Sequence, residues 1–369
     1  MDAFFASVEL LHYPELRGLP VVVGGRHRWH PQALQGGGWR FAKLRDYSGR
    51  GVVTTSTYEA RALGVFSAMP MMKAARLAPD AILLPARFEA YREYSGRFKA
   101  AVAALAPRIE DRGIDEIYID LSEHEEDDSE ALARGIQSAV RDATGLSCSI
   151  GVSPNKLLSK IASDMHKPGG VTVLQMADLP TRIWPLPAAR INGIGPKAAA
   201  RLQQLGIHSI GELAAAPLPR LQQHFGRGYA AWLHEVAHGR DERPLSTDSE
   251  PRSISRETTF ERDLHAQRDR AELASHFSRL CEQLAQDLQR KQCSARTIGV
   301  KLRFDDWRTV SRELSWPQAL HKATDIRRAA GQCLRRVDLQ RRLRLLGVRA
   351  SGLQALGAST QLSLLDGPP

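Results

Sequence analysis

The chain has 369 residues, 43% of them hydrophobic and 25% charged, with a formal net charge of +10. That length exceeds one ordinary core and predicts roughly two to four domains of a water-soluble globular protein. No stretch of about eighteen apolar residues occurs, which excludes a membrane-spanning helix, and Asp2 puts an acid where an export signal needs basic residues, so a cytoplasmic location is expected.

The excess charge is unevenly placed. Residues 252–355 hold 22 Lys/Arg against 12 Asp/Glu, so this stretch carries the whole surplus and the remainder sums to zero. Such a module suits a polyanion, although a basic surface that serves only solubility has the same composition. Cys148, Cys281, Cys293 and Cys333 lie far apart with no CxxC spacing, which argues for reduced thiols and against a zinc site.

In chain order, the stretch after Met1 is helix-forming to Leu16 and is stopped by Gly18-Leu19-Pro20. Val21-Val22-Val23 reads as a short buried strand. Residues 26–50 hold six basic residues, one acid, Trp29 and Trp39. They read as an exposed, mobile insertion, a composition shared by single-strand binders and plain surface loops. Gly51 to Thr55 is a β-branched strand, and Ser56 to Gly64 a helix with a hydroxyl cap and a glycine stop. Tyr58 and Arg61 share one face of that helix; with Thr55 they could hold a triphosphate near a helix N-terminus.

A helix over Met69–Leu77, a strand over Ala81–Leu84 and a long helix over Phe88–Leu105 follow. The next stretch, Gly113-Ile114-Asp115-Glu116-Ile117-Tyr118-Ile119-Asp120, sets two adjacent carboxylates against a run that favours a buried strand. Burying such a pair costs several kcal/mol without compensation. Either a divalent cation supplies it, or Arg108 or Arg112 pairs with the acids at a strand end. An amphipathic helix over 128–143, a strand over Ser147–Val152 and a helix over Asn155–Met165, with Lys156 and Lys160 on one face, complete an α/β layer spanning 81–175. Beyond Leu179-Pro180 come short alanine-rich helices. There Asn192-Gly193-Ile194-Gly195-Pro196-Lys197 reads either as a helix-hairpin-helix that presents backbone amides to phosphate or as a tight turn between helices. A polar linker leads to the basic module, whose order β-α-β-β-α-β suits a four-stranded sheet backed by two helices. The end, Gln361-Leu362-Ser363-Leu364-Leu365, is an apolar cluster in a polar tail, either a docking peptide or a casual extension.

Taken jointly, several segments resemble the Y-family translesion DNA polymerases, and among them the bacterial DNA polymerase IV type. They are Met1 through Glu9, Thr55 with Tyr58-Glu59-Ala60-Arg61, Ile114 through Asp120, Gly151 through Lys156, and Lys160 through Met165 with Lys167-Pro168. Their order and spacing cover almost the whole chain. The resemblance implies a multidomain α/β and α fold. It comprises a ferredoxin-like palm over 1–10 and 80–176, fingers over 11–79, a helix-hairpin-helix thumb over 177–242, a linker over 243–252, a little finger over 253–355 and a flexible tail over 356–369. It implies low-fidelity, template-directed DNA synthesis without proofreading, by two magnesium ions acting on dNTPs and a primer–template, in a monomer associated with the nucleoid.

By matched position, Asp115 and Glu116 become metal ligands together with the Met1 backbone carbonyl. Phe5 becomes the steric gate against a 2′ hydroxyl, beside Phe4. Thr55, Tyr58, Arg61 and Lys160 hold the triphosphate, with Thr54 and Ser56 near the nascent pair. Gly193, Gly195, Lys197 and Arg303 contact DNA. Gln361, Leu362, Leu364 and Leu365 resemble a sliding-clamp peptide that lacks an aromatic last position. The family also places a strand ending in a metal-binding Asp just ahead of the residue matching Met1, and the expectation is a start placed too late or a cut chain. The insertion 26–50 and Asn192, where proline is common, are further departures. The competing readings are a DNA- and clamp-binding protein without catalysis, favoured by that missing Asp, and a helix-hairpin-helix nuclease, for which no further acidic cluster is found.

Overall fold

The computed structural model describes residues 1–25, 29–123, 129–247 and 250–356. The chain divides into two compact units, Met1–Ser249 and Glu250–Pro369. No helix among the described residues is long and apolar enough to cross a membrane.

In the first unit, Val21–Gly24 is the hub of a sheet ordered Ala42–Lys43, Ile82–Leu84, Val21–Gly24, Val53–Ser56. Val21 to Val23 pair in parallel with Ile82 to Leu84 and antiparallel with Val53–Ser56. The strand at 81–84, assigned from sequence to the α/β layer, is therefore built into the module below residue 80. Parallel pairing across some sixty residues leaves no local signature. The insertion is also less free than its composition suggests. Gln32–Ala33 and Trp39–Arg40 form an exposed two-stranded ladder, but Ala42–Lys43 joins the sheet edge, Leu44 is fully buried and Tyr47 packs in the core beside Met71 and Val53. Residues 26–28 lie outside the described residues.

The acidic stretch is a hairpin rather than one strand. Ile109–Asp111 pairs antiparallel with Ile117–Ile119, and Asp115-Glu116 lie in the turn just before the second strand. A second ladder, Ile150–Val152 with Val171–Val173, runs parallel. Residues of Ile117–Ile119 and of Ile150–Val152 line one slot of about 620 Å³, whose apolar lining includes Phe98, Val102, Ile136 and Val140. The helices Phe88–Leu105 and Ser129–Thr144 supply those side chains. The helix Lys156–Met165, capped by Asn155 accepting from the Leu158 amide at 3.0 Å, lies directly on the Ile150–Val152 strand. Only glycine permits that approach, because a Cβ at Gly151 would stand 2.2 Å from the Ser159 carbonyl oxygen. The later part of this unit is a cluster of short helices, Pro196–Gln204, Ile210–Ala215, Leu218–Phe225 and Arg227–Ala237, around Leu202, Ile210, Leu213, Leu221 and Leu233.

The second unit matches the β-α-β-β-α-β expectation. Its antiparallel sheet is ordered Ser253–Leu264, Leu343–Ala355, Cys293–Phe304, Thr309–Leu320, with the helices Arg270–Arg290 and Ala323–Leu334 packed on it. Alternation within strands sends Ile298, Val300, Leu302, Leu346 and Val348 into the core and leaves Lys301 and Arg303 only half-buried. All four cysteines are buried and free, as their spacing suggested.

Candidate active site

The carboxylate pair sits on a turn pinned from below. Lys99 Nζ donates to the Gly113 carbonyl and pairs with Asp111, each at 2.8 Å. The pair is not buried as the strand reading assumed: Asp115 is half-buried, and the Glu116 side chain is 48% exposed. Neither predicted arginine compensates it, since Arg108 pairs with Asp120 and Glu123, and Arg112 with Glu110. The partner is Lys160, whose Nζ stands 2.6 Å from Glu116 Oε1 and 3.6 Å from Asp164. Burial alone would lower the Lys160 pKa; the hydrogen bond to Glu116 and the Asp164 charge outweigh it and hold the ammonium above its ordinary value.

Met1 is brought to the pair, its amino terminus donating to the Asp115 carbonyl at 2.8 Å. The neighbouring Asp2, 2% exposed, ties the start of the chain down by accepting from Ser149 Oγ at 2.7 Å and from the Gly169 amide at 2.9 Å. Its anchoring role was not legible from sequence, because both partners lie more than 140 residues away.

Met1, Phe4, Phe5, Thr54, Thr55, Tyr58, Arg61, Asp115, Glu116 and Lys167 border a single pocket of about 200 Å³. Residues separated by up to 166 positions, several of them expected from sequence to bind nucleotide, therefore meet around the carboxylates. Lys160 does not border this pocket; it lines the larger slot, which Asp115, Glu116 and Lys167 also line. Thr57, not Ser56, caps the helix Tyr58–Ala62, while Ser56 turns inward and donates to the Val65 carbonyl at 2.8 Å. The Arg61 guanidinium lies 4.7 Å from the Tyr58 ring centre. The Tyr58 hydroxyl is buried and finds no hydrogen bond of good geometry, although Arg61 stands close enough to lower its pKa somewhat. Burial is the larger influence, with Asp2 next, and the phenol is raised above its usual range. Asp164 pairs with Lys167 at 2.5 Å as well as with Lys160, and despite its burial these lysines hold it below the usual carboxylate range. Sequence reading quoted Asp164 and Lys167 in a motif but assigned them no role.

Among the described residues no three His, Cys, Asp or Glu side chains gather as a metal cage. Two carboxylates and a backbone carbonyl are nonetheless an all-oxygen donor set of the kind a small hard cation shares with substrate phosphates.

The predicted hairpin is present. Gly193 has φ +110° and lies so close to Trp232 that a Cβ would stand 2.7 Å from its ring. Tyr229, stacked on Trp232, donates to the Gly193 carbonyl at 3.0 Å. Gly195 caps the helix Pro196–Gln204, and Lys197 is exposed at its start. In the second unit Arg303 donates to Thr309 Oγ1 at 3.0 Å. Gln361, Leu362, Leu364 and Leu365 lie outside the described residues.

Residues 1–164 match the impB/mucB/samB family, residues 251–364 its C-terminal domain, and residues 189–241 a thumb domain described for DNA polymerase-iota. DNA polymerase IV of Alkalilimnicola ehrlichii is 38% identical over 356 residues, covering 96% of this chain and 93% of that protein. The chain belongs to the Y family of translesion DNA polymerases. DNA polymerase IV of Methanoculleus marisnigri is 37% identical over 99% of this chain and 95% of its own length, and that of Neisseria meningitidis 35% over 94% and 93%. Among solved structures, a Y-family polymerase chimera of Dbh and Dpo4 superposes with a TM-score of 0.80 at 27% identity, covering 96% and 97% of the two chains. An insertion ternary complex of Dbh polymerase superposes at 0.64 and 27%, covering 95% and 96%. The polymerase is thus a DNA-directed nucleotidyltransferase of the translesion class, dependent on divalent metal and acting on primer–template DNA and dNTPs. The reading without catalysis is not favoured.

Proposed function

We propose that this polymerase adds dNTPs to a primer 3′ hydroxyl at the pocket bordered by Asp115, Glu116, Phe5, Thr55, Tyr58 and Arg61. The observation that carries the reading is the convergence of these side chains on one space of about 200 Å³. Asp115 and Glu116, with the Met1 carbonyl, would hold two magnesium ions. Bound there, magnesium supplies an acidified primer hydroxyl and a counter-charge for the departing pyrophosphate. Tyr58, Arg61 and Thr55 orient the triphosphate by hydrogen bonds and charge, while Lys160 adds positive charge beside Glu116. Phe5 closes the pocket against a 2′ hydroxyl, with Phe4 packed beside it. The domain bounds expected from sequence are part of this proposal, with the strand Ile82–Leu84 counted with the fingers because it pairs with Val21–Gly24.

The Gly193–Gly195 hairpin and Lys197 would grip backbone phosphate, and Arg303 would contact DNA from the little finger. A monomer that recruits a sliding clamp through Gln361, Leu362, Leu364 and Leu365 completes the proposal. Primer extension on undamaged and lesion-bearing templates tests it. Asp115→Ala and Glu116→Ala should each abolish incorporation while leaving primer–template affinity within about twofold, because backbone phosphates dominate that affinity. Incorporation that survives either change would refute the assignment.

A further inference from the structure

A steric gate works only if its ring cannot retreat, and the structure contains a backing for Phe5 that its assignment as gate does not explain. Phe5 lies on the helix Phe4–His12, with one part of its ring on the nucleotide pocket. Against it, centroids 4.3 Å apart and planes 14° apart, stacks Tyr91, which is fully buried. Phe88 meets both rings edge-on, at 5.9 Å and 5.8 Å. Packing alone would be served by phenylalanine at position 91. Instead the Tyr91 hydroxyl donates to Glu9 Oε1 at 2.6 Å, and Glu9, itself 1% exposed, is gripped by Arg87 through Nε at 3.2 and 3.0 Å and a terminal nitrogen at 2.7 Å.

Glu9 stands four residues beyond Phe5 on the same helix, so the two share a helix face, and Arg87 is the N-cap residue of the helix that carries Tyr91, its carbonyl accepting from the Tyr91 amide at 3.2 Å. The result is a closed loop: Phe5, its helix, Glu9, Tyr91 and back to Phe5. Burial above all, reinforced by the Glu9 charge, raises the Tyr91 phenol far above its ordinary pKa, so the hydroxyl remains a donor at working pH. A buried ion pair is poor evidence for stability, but it sets orientation well.

We propose that Tyr91, aimed by Glu9 and Arg87, is the positioning residue that fixes the Phe5 ring and so sets discrimination between deoxyribose and ribose. This rests on Phe5 being the gate, and the test separates the two claims. Single-nucleotide incorporation by the full chain is measured with a dNTP and the matching rNTP for Phe5→Ala, Tyr91→Leu and Tyr91→Phe, each with a thermal melt. Phe5→Ala should collapse the selectivity ratio. Tyr91→Leu removes the stacked face and should lower the ratio about tenfold, the scale of an aromatic pair, with dNTP efficiency within about threefold of wild type. Tyr91→Phe keeps the ring but loses its aim and should lower the ratio about threefold.

If Phe5→Ala leaves selectivity intact, the gate assignment fails and takes this proposal with it. If Phe5→Ala collapses the ratio but folded Tyr91→Leu leaves it unchanged, the gate stands and the positioning role is overturned. Should Tyr91→Leu not fold, the isosteric Tyr91→Phe decides in the same way.

Discussion

Replacing Tyr58 with phenylalanine should move stability and substrate affinity in opposite directions. The hydroxyl is buried and makes no hydrogen bond of good geometry, and Tyr58 borders the pocket proposed to take the nucleotide. A buried hydroxyl left unpaired costs about 1–3 kcal/mol, so Tyr58→Phe should stabilise the free protein by about 1 kcal/mol, the lower end because the residue is only half-buried. For a unit of this size that is about 2–4 °C in melting temperature. With dNTP present, the same hydroxyl would donate to a charged phosphate oxygen, an interaction worth about 1.5–3 kcal/mol. Its loss should raise the dNTP KM about tenfold or more, with a smaller change in kcat. Thermal melting without nucleotide and steady-state incorporation over a dNTP series measure the two effects. A variant that is less stable, or whose KM is unchanged, would show that the hydroxyl is not waiting for a ligand.

Gly193→Ala should cost about 1–3 kcal/mol through the positive φ and the clash with Trp232, and weaken primer–template binding in filter or anisotropy assays; unchanged affinity would remove the hairpin from the DNA interface. Glu110, 4% exposed, accepts from Lys156 Nζ at 2.8 Å and from the Ser246 amide at 2.9 Å. Burial opposes its ionisation, but these bonds prevail and lower its pKa. A depressed native pKa adds stability that is present above the unfolded value of 4.5 and lost as the pH falls through the native one, so Glu110→Gln should flatten the acid limb of unfolding below about pH 4.5. An unchanged acid limb would refute this. Removing residues 361–369 should abolish stimulation by a sliding clamp and leave basal synthesis intact; equal loss of both would make the tail structural.

Much of this was readable without coordinates, for local reasons. The helix at 58–62 announces itself by a hydroxyl cap and a glycine stop, and the second unit by alternation and element order. Two expectations failed because their signals are not local. Residues 81–84 look like any apolar strand, and only parallel pairing with Val21–Val23 places them. Asp115 and Glu116 look buried because isoleucines flank them, yet in the turn Asp115 is only half-buried and Glu116 is exposed, and Lys160, not an arginine, pairs with Glu116.

By itself, then, the sequence determined which chemistry the chain can offer: an acidic pair, a phenol–guanidinium helix, a phosphate-type hairpin and a basic module. Periodicity and spacing along the chain encode side-chain type and local geometry. Only the tertiary structure decided which of these groups face one another. It put Phe5 on the pocket beside the carboxylates and stacked it on Tyr91, left the Tyr58 hydroxyl without a hydrogen bond of good geometry, and joined Lys160 to Glu116. Those contacts depend on packing between segments far apart in sequence, and no local pattern along the chain records it.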